Sequence, residues 1–325
     1  MFDPSATCPR IDDFVAQTFP EDAFYSAFEL LALVMVPDPS IQKAVLLLGP
    51  GGNGKSVFLR LLQRFLGPEN YATVPLQRLE DDRFSASRIH GKLANICADL
   101  PAADLRGTST LKGITGGDRL TVERKYHDSY DLEPFCKLVF SANTPPRTPD
   151  SSEGFFQRWV VIPFERTFRG EVTEIPSAAL DARLQAPEEL SGALNRTLEA
   201  RRRIMLTGLS EPLSCLTARE AFRAVTDPVS VWIDQWTCHA PGAVTPKRRL
   251  LEEYNSHAIR AGQGTLTPQR FGRAVRRSRP DLQDGQRHLA GKRHEVWFDI
   301  ALRQASAEYG EAGESGDRDI EGWAG

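Results

Sequence analysis

An α/β fold with a mostly parallel sheet follows from three features of the sequence. Between residues 41 and 165, short apolar strands alternate with helical segments. A glycine-rich stretch, LLLGPGGNGKSVFLR (Leu46 to Arg60), joins the first of those strands to a helix. The flanks differ in texture: residues 1–40 are helical, and residues beyond 226 read as three helices followed by a hairpin.

In the first segment, Ile11, Phe14, Val15 and Thr18 recur at helical spacing, as do Phe24, Phe28, Leu31 and Met35. Pro37-Asp38-Pro39 closes it. The central region, 41–168, supplies the strands AVLLLG, KLANICADL, CKLVFSAN and RWVVIPF and the helix VFLRLLQRFLG. Residues 169–226 are expected to form a helical subdomain, Ala- and Leu-rich over 175–225, with an arginine cluster at Arg201, Arg202 and Arg203. In 227–303, VWIDQWTCHA, KRRLLEEYNSHAIRAG and PQRFGRAVRRSR read as helices, the last with Pro268 in its first turn. QRHLAGKRHEVWFDIAL holds two strands around Ala290-Gly291, which is the order of a winged-helix module. Residues 304–325 have the composition of an acidic disordered tail.

The chain has 325 residues, enough for about two domains. Hydrophobic residues make up 41% and charged residues 26%, ordinary for a globular protein. A net charge of -3 excludes a chain that is basic throughout, although Lys and Arg outnumber Asp and Glu in 227–303. The longest apolar run, Leu30 to Val36, is too short to cross a bilayer, and no secretory leader is visible, so a cytoplasmic setting, of a bacterial host, is expected. Five cysteines show no CxxC pair and read as reduced thiols. The adjacent Cys238-His239 is not a metal motif by itself.

Gly49, Gly54, Lys55 and Ser56 satisfy G-x-x-x-x-G-K-[ST] in full. Glycines let successive backbone N–H groups face one concavity, and the following helix adds its positive end. The lysine reaches the β/γ-phosphates and the serine hydroxyl ligates Mg²⁺. The nucleotide-binding residues are therefore Gly49, Pro50, Gly51, Gly52, Asn53, Gly54, Lys55, Ser56 and Val57. The loop alone does not choose among kinases, GTPases, helicases and transporters.

A phosphate-binding loop needs an acid at the end of a neighbouring strand. Asp99 is the candidate, as metal ligand or water-polarising group. Ala98 beside it is not an acid, and Asp104 is a second candidate. Asn143, just past CKLVFSA, suits either a γ-phosphate sensor or a turn before Thr144-Pro145-Pro146. LKGITGGDRLTVERKY predicts a tight turn at Gly116-Gly117-Asp118 and then a strand carrying Arg124 and Lys125. Those charges suit nucleic-acid phosphate or ordinary edge protection equally well. Arg158, between Phe156 and Trp159, could stack on them, form a core ion pair, or act on a neighbouring subunit's nucleotide. A finger of that last kind contributes roughly 10³–10⁵ in rate.

The order GPGGNGKS, GKLANICADL, KGITGGDRLTVERKY, CKLVFSANTPP, EGFFQRWVVIPF resembles the superfamily 3 helicases, in particular the C-terminal helicase part of phage, plasmid and poxvirus-type primase–helicases. The resemblance covers about 41–168. It implies an AAA+-like P-loop core forming ring hexamers around DNA, with ATP and Mg²⁺ bound between subunits. It gives Lys55 and Ser56 to the phosphates and metal, Asp99 to the second motif, Asn143 to the polar sensor and Arg158 to the neighbour-directed finger. It places Lys125, with Arg124, on a hairpin touching single-stranded DNA in the ring channel. Members of that family often carry a glutamate or paired acids where this chain has Asp99 alone, which leaves the catalytic base open. Translocation 3′ to 5′ and a separate or fused primase are further implications.

In the C-terminal module Arg273, Arg276 and Arg277 share one helix with apolar Phe271 and Val275, and Lys292 and Arg293 lie on the wing. These residues fit a duplex grip or a protein adaptor. The function expected is an ATP-dependent DNA helicase of a phage, plasmid or mobile-element replication system, without a membrane partner. The alternatives are a DNA-stimulated ATPase acting as loader or origin-binding initiator, and a non-catalytic nucleotide-binding scaffold.

Overall fold

The computed structural model describes residues 3–303, apart from 83, 102–104, 149, 151, 172–174 and 290. Asp104, Ala290 and the expected acidic tail thus lie outside the described residues. The chain divides after Val231 into two compact units.

The first unit begins with helices α1 (Pro9–Thr18) and α2 (Phe24–Val34). There follow β1 (Ala44–Leu48), α3 (Lys55–Leu66), β2 (Tyr71–Ala72), α4 (Leu76–Asp81) and β3 (Ala94–Cys97). Helix α5 (Ser109–Gly116) leads into a hairpin of β4 (Leu120–Val122) and β5 (Tyr130–Leu132). Then come β6 (Lys137–Ala142), the short α6 (Glu153–Phe156), β7 (Trp159–Pro163), α7 (Ser177–Leu184), α8 (Pro187–Thr207) and α9 (Leu213–Thr226).

The five-stranded sheet has the order β2-β3-β6-β1-β7, and every pairing is parallel. Both faces are covered, which is why its strands read as continuous apolar runs rather than as alternating ones. Along β1, Val45 and Leu47 enter one core while Ala44 and Leu46 enter the other. The first core is shared by α1, α2, α3 and α8, so helices far apart in sequence close a single face. The second is dominated by edge-on aromatic packing of Phe155, Phe156, Trp159 and Phe222. Helix α1 gets its N-terminal cap from elsewhere: the buried Glu189 of α8 accepts from Arg10 N and Ile11 N at 3.1 Å each.

The expected strand TVERKY is shorter than its propensity suggests. Pairing with β5 ends at Val122, and Arg124 and Lys125 belong to the connecting turn. Gly117 ends α5 at φ 74, where a residue with a Cβ is strained.

The second unit is reached through α10 (Pro228–Trp236) and continues with β8 (Thr237–Pro246), α11 (Lys247–Arg260), α12 (Pro268–Ser278), β9 (Asp284–Leu289) and β10 (Lys292–Leu302). The helix expected over VWIDQWTCHA stops at Trp236. Pro241 and Gly242 cannot prolong it, and β10 offers Thr237–Pro246 an antiparallel partner. The sheet order is β8-β10-β9. Trp232, Tyr254, Phe271 and Trp297 fill this unit's core. Among the described residues no helix is long and apolar enough to cross a membrane.

Candidate functional site

The loop between β1 and α3 is shaped by what surrounds it. A Cβ on Gly49 would sit 2.1 Å from the carbonyl oxygen of Phe164, so only glycine allows that approach. Gly54 stands at φ 90 immediately before α3, in the region L side chains avoid. The segment leaving β7 clasps the loop. The buried Asn53 donates Nδ2 to Phe164 O at 2.8 Å, and Phe168 N donates to Gly52 O at 2.8 Å.

Lys55 is buried at the first turn of α3. Its ammonium donates to Gly49 O (2.6 Å), Pro50 O (2.9 Å), Asn53 Oδ1 (2.9 Å) and, at a longer 3.4 Å, Asn143 Oδ1. Burial holds its pKa below the ordinary lysine value, and the Asp99 charge opposes that shift. Asp99 lies two residues past β3, exposed, at φ 52. Its N–H donates to Ser141 Oγ at 3.1 Å, and Leu100 N donates to Ser141 O at 2.8 Å. Asn143 follows the last residue of β6. Because β3, β6 and β1 are adjacent and parallel, their carboxyl ends lie side by side. That edge collects Asp99, Asn143 and Lys55, and the carboxyl edge is where open α/β sheets take ligands.

Ser56 is exposed beside Lys55, and Asp99 is exposed past the end of β3, which β6 separates from β1. A hydroxyl and one carboxylate are hard oxygen donors. Among the described residues no group of three or more His, Cys, Asp or Glu could hold a metal. Mg²⁺ suits such a set, since it is commonly held by one or two protein oxygens together with substrate phosphates.

A cavity of about 690 Å³ opens against Gly52, Gly54 and Val57. Phe14, Phe168, Leu180 and Leu184 give it apolar walls, and Arg10, Asp13, Gln17 and Arg183 give it polar edges. Sequence reasoning missed this feature. Phe14 shows only the helical spacing it shares with Ile11, Val15 and Thr18. Nothing in the local pattern says that α1 lies over the loop between β1 and α3.

Arg158 lies at the other edge of the sheet. Its carbonyl accepts from Ala44 N at 2.7 Å, at the amino end of β1, whereas the loop leaves the carboxyl end. The length of β1 separates them by on the order of 15 Å. The guanidinium donates to Thr115 Oγ1 at 3.2 Å and Gly154 O at 2.9 Å, and among the described residues no carboxylate pairs with it. It therefore neither stacks on Phe156 or Trp159 nor forms a core ion pair, and it does not approach its own chain's loop.

Arg124 and Lys125 are exposed in the β4–β5 turn, with the Arg124 guanidinium 5.0 Å over the Tyr130 ring. In the second unit, Arg273, Arg276 and Arg277 share α12, whose opposite side buries Phe271 and Val275. Arg276 donates to Asp284 at 3.0 Å and lies 5.6 Å over Trp297. Lys292 and Arg293 open β10 and are exposed, with Arg293 donating to Gln286.

A family of unknown function (DUF5906) matches residues 47–158, a span from the end of β1 to Arg158. Over 176 residues the chain is 26% identical to "Putative helicase 184R" of Invertebrate iridescent virus 6, covering 50% of this chain and 18% of that protein. Over 187 residues it is 28% identical to "Putative helicase 022R" of Frog virus 3 (isolate Goorha), covering 54% of this chain and 19% of that protein. The matches thus span less than a fifth of either relative's length. The solved apo structure of the NrS-1 C-terminal region has the same fold, with a TM-score of 0.53 at 15% identity over 92% of this chain and 78% of that one. An A-form apo structure of that region gives 0.51 at 13% identity, over 91% and 77%.

Proposed function

We propose that this chain is the motor part of an ATP-driven DNA helicase of the superfamily 3 type. The observation that carries the reading is the meeting of Lys55, Asn143 and Asp99 at the carboxyl ends of three adjacent parallel strands. That is the place and the donor set for a nucleoside triphosphate. The phosphates sit in the loop 49–56, replacing the loop carbonyls as partners of the Lys55 ammonium. The cavity lined by Phe14 and Phe168 takes the base. Ser56 and Asp99 hold Mg²⁺, which supplies charge neutralisation on the phosphate oxygens. Asn143 hydrogen-bonds the γ-phosphate and the attacking water. With Ala98 beside it, Asp99 is, among the described residues at this edge, the acid offered to polarise that water.

Arg158 serves the nucleotide of a second copy, because it lies at the sheet edge away from its own loop. Hydrolysis is therefore shared across subunits of a ring, a hexamer by the family resemblance. The Lys125 turn grips a strand by its phosphates, which gives slight sequence preference and steep salt dependence. The second unit's order of helix, strand, two helices and two strands supports a winged-helix reading, with α12 and the β9–β10 hairpin as the duplex-facing parts. The names of the two viral relatives point the same way. The test is strand displacement on forked DNA with ATP, run beside native mass measurement. DNA-stimulated hydrolysis without displacement would favour a loader or initiator instead.

A further inference from the structure

The turn joining β4 to β5 carries an aromatic side chain that the fold does not use. Tyr126 is 100% exposed. Its backbone stands at φ 65, where a bulky L residue is strained. His127 N donates to Arg124 O at 3.1 Å, so Arg124–His127 is a β-turn with Tyr126 in the third position. With positive φ, that position ordinarily takes Gly or Asn. A turn needed only to close the hairpin is better served by glycine. The strain therefore points to a use for the ring outside the chain.

We infer that Tyr126 stacks on a base of single-stranded nucleic acid held at this turn, an inference that rests on the nucleic-acid reading above. Arg124 and Lys125 precede the ring directly and are exposed, while Glu123 at the root is half-buried. The Arg124 guanidinium is held over Tyr130, 5.0 Å away, and Tyr130 meets His90 edge-on at 5.3 Å, which stiffens the base of the turn. Among the described residues the Tyr126 ring itself has no partner. Cations that track a backbone beside an aromatic face that accepts any base are how proteins hold single strands without reading sequence. A duplex hides its base faces, so the ring selects the unpaired strand. Lys125 then holds phosphate while Tyr126 holds the base, and the turn grips a strand at two points.

The experiment measures binding of the full chain to a labelled thymidine oligonucleotide and to an abasic strand of equal length. Tyr126→Ala and Tyr126→Gly should weaken thymidine-strand binding by about tenfold, the effect of losing one stacked base. Tyr126→Phe should bind as wild type. All three should bind the abasic strand as wild type does, with an unchanged salt slope, because no phosphate contact is lost. Tyr126→Gly should melt no lower than wild type, since glycine accepts φ 65 without strain, so its binding loss cannot come from unfolding. Equal losses on both strands, no loss on either, or a Tyr126→Phe variant as weak as Tyr126→Ala overturns the stacking role. If wild type binds neither strand, the nucleic-acid reading fails and the inference falls with it.

Discussion

The Lys55 ammonium and the Asn143 side-chain oxygen stand 3.4 Å apart, joined across two paired parallel strands, β1 and β6. Asn143 is exposed and supports no core packing. Asn143→Ala should leave the melting temperature within a degree or two of wild type while lowering kcat for ATP by about 10²-fold, the scale of one lost transition-state donor. Steady-state hydrolysis with equilibrium ATP binding measures both, and an unchanged kcat would remove Asn143 from the site.

On the proposed reading Lys55→Ala and Arg158→Ala should each abolish turnover, because Lys55 would hold phosphate within its chain and Arg158 would reach a second copy. Mixed before assembly, the two inactive proteins should recover part of the wild-type rate at seams where an intact Lys55 meets an intact Arg158. A monomer that hydrolyses at the full rate would contradict a shared site.

Gln17 lies on the exposed side of α1 and borders the cavity against the loop. Gln17→Ala should raise the KM for ATP several-fold and narrow the preference for ATP over GTP, with kcat little changed. Competition kinetics with both nucleotides is the check, and an unaltered KM would place the base elsewhere.

Gly192 looks like an easy helix to improve. Ala is better than Gly by about 1 kcal/mol inside a helix. Yet a Cβ there would fall 2.1 Å from the backbone carbon of Thr7. The clash involves main chain and cannot be relieved by rotating a side chain. Gly192→Ala should therefore destabilise the protein by about 2 kcal/mol or more, visible in urea denaturation, despite the gain in propensity.

Lys137 is buried, donates to Ile41 O at 2.8 Å, and has its pKa lowered by burial to about 8. Below that pH both the folded and unfolded chains carry the charge, and the folded one bears the desolvation cost. Between about 8 and the ordinary 10.5 the unfolded chain binds more protons, so stability rises with pH across that window. Lys137→Met should stabilise the fold at pH 7 and gain less, or lose, at pH 10. An equal effect at both pH values would show that the charge bears no cost.

The loop Gly49–Ser56 was legible because it is local: the glycines, the lysine and the following helix are consecutive, and each answers to backbone conformation alone. The strands were legible for a similar reason, since burial on both faces leaves an unbroken apolar run. The extent of the TVERKY strand was not, because Val122 is its last paired residue only by virtue of where β5 lies. Strand β8 was hidden likewise, since its ladder partner is β10 at the far end of the unit.

The sequence by itself determined that a glycine-rich loop with the G-x-x-x-x-G-K-[ST] pattern follows an apolar strand, and that an acid and an asparagine end two later strands. Only the tertiary structure decided that these three strands are neighbours, that α1 and α7 wall a cavity beside the loop, and that Arg158 faces away from it. The division is physical. Dihedral preference and hydrophobic period act over a few residues and can be read in order. Strand order and the approach of distant helices are set by burying both sheet faces at once, a condition on the whole chain that no short window contains.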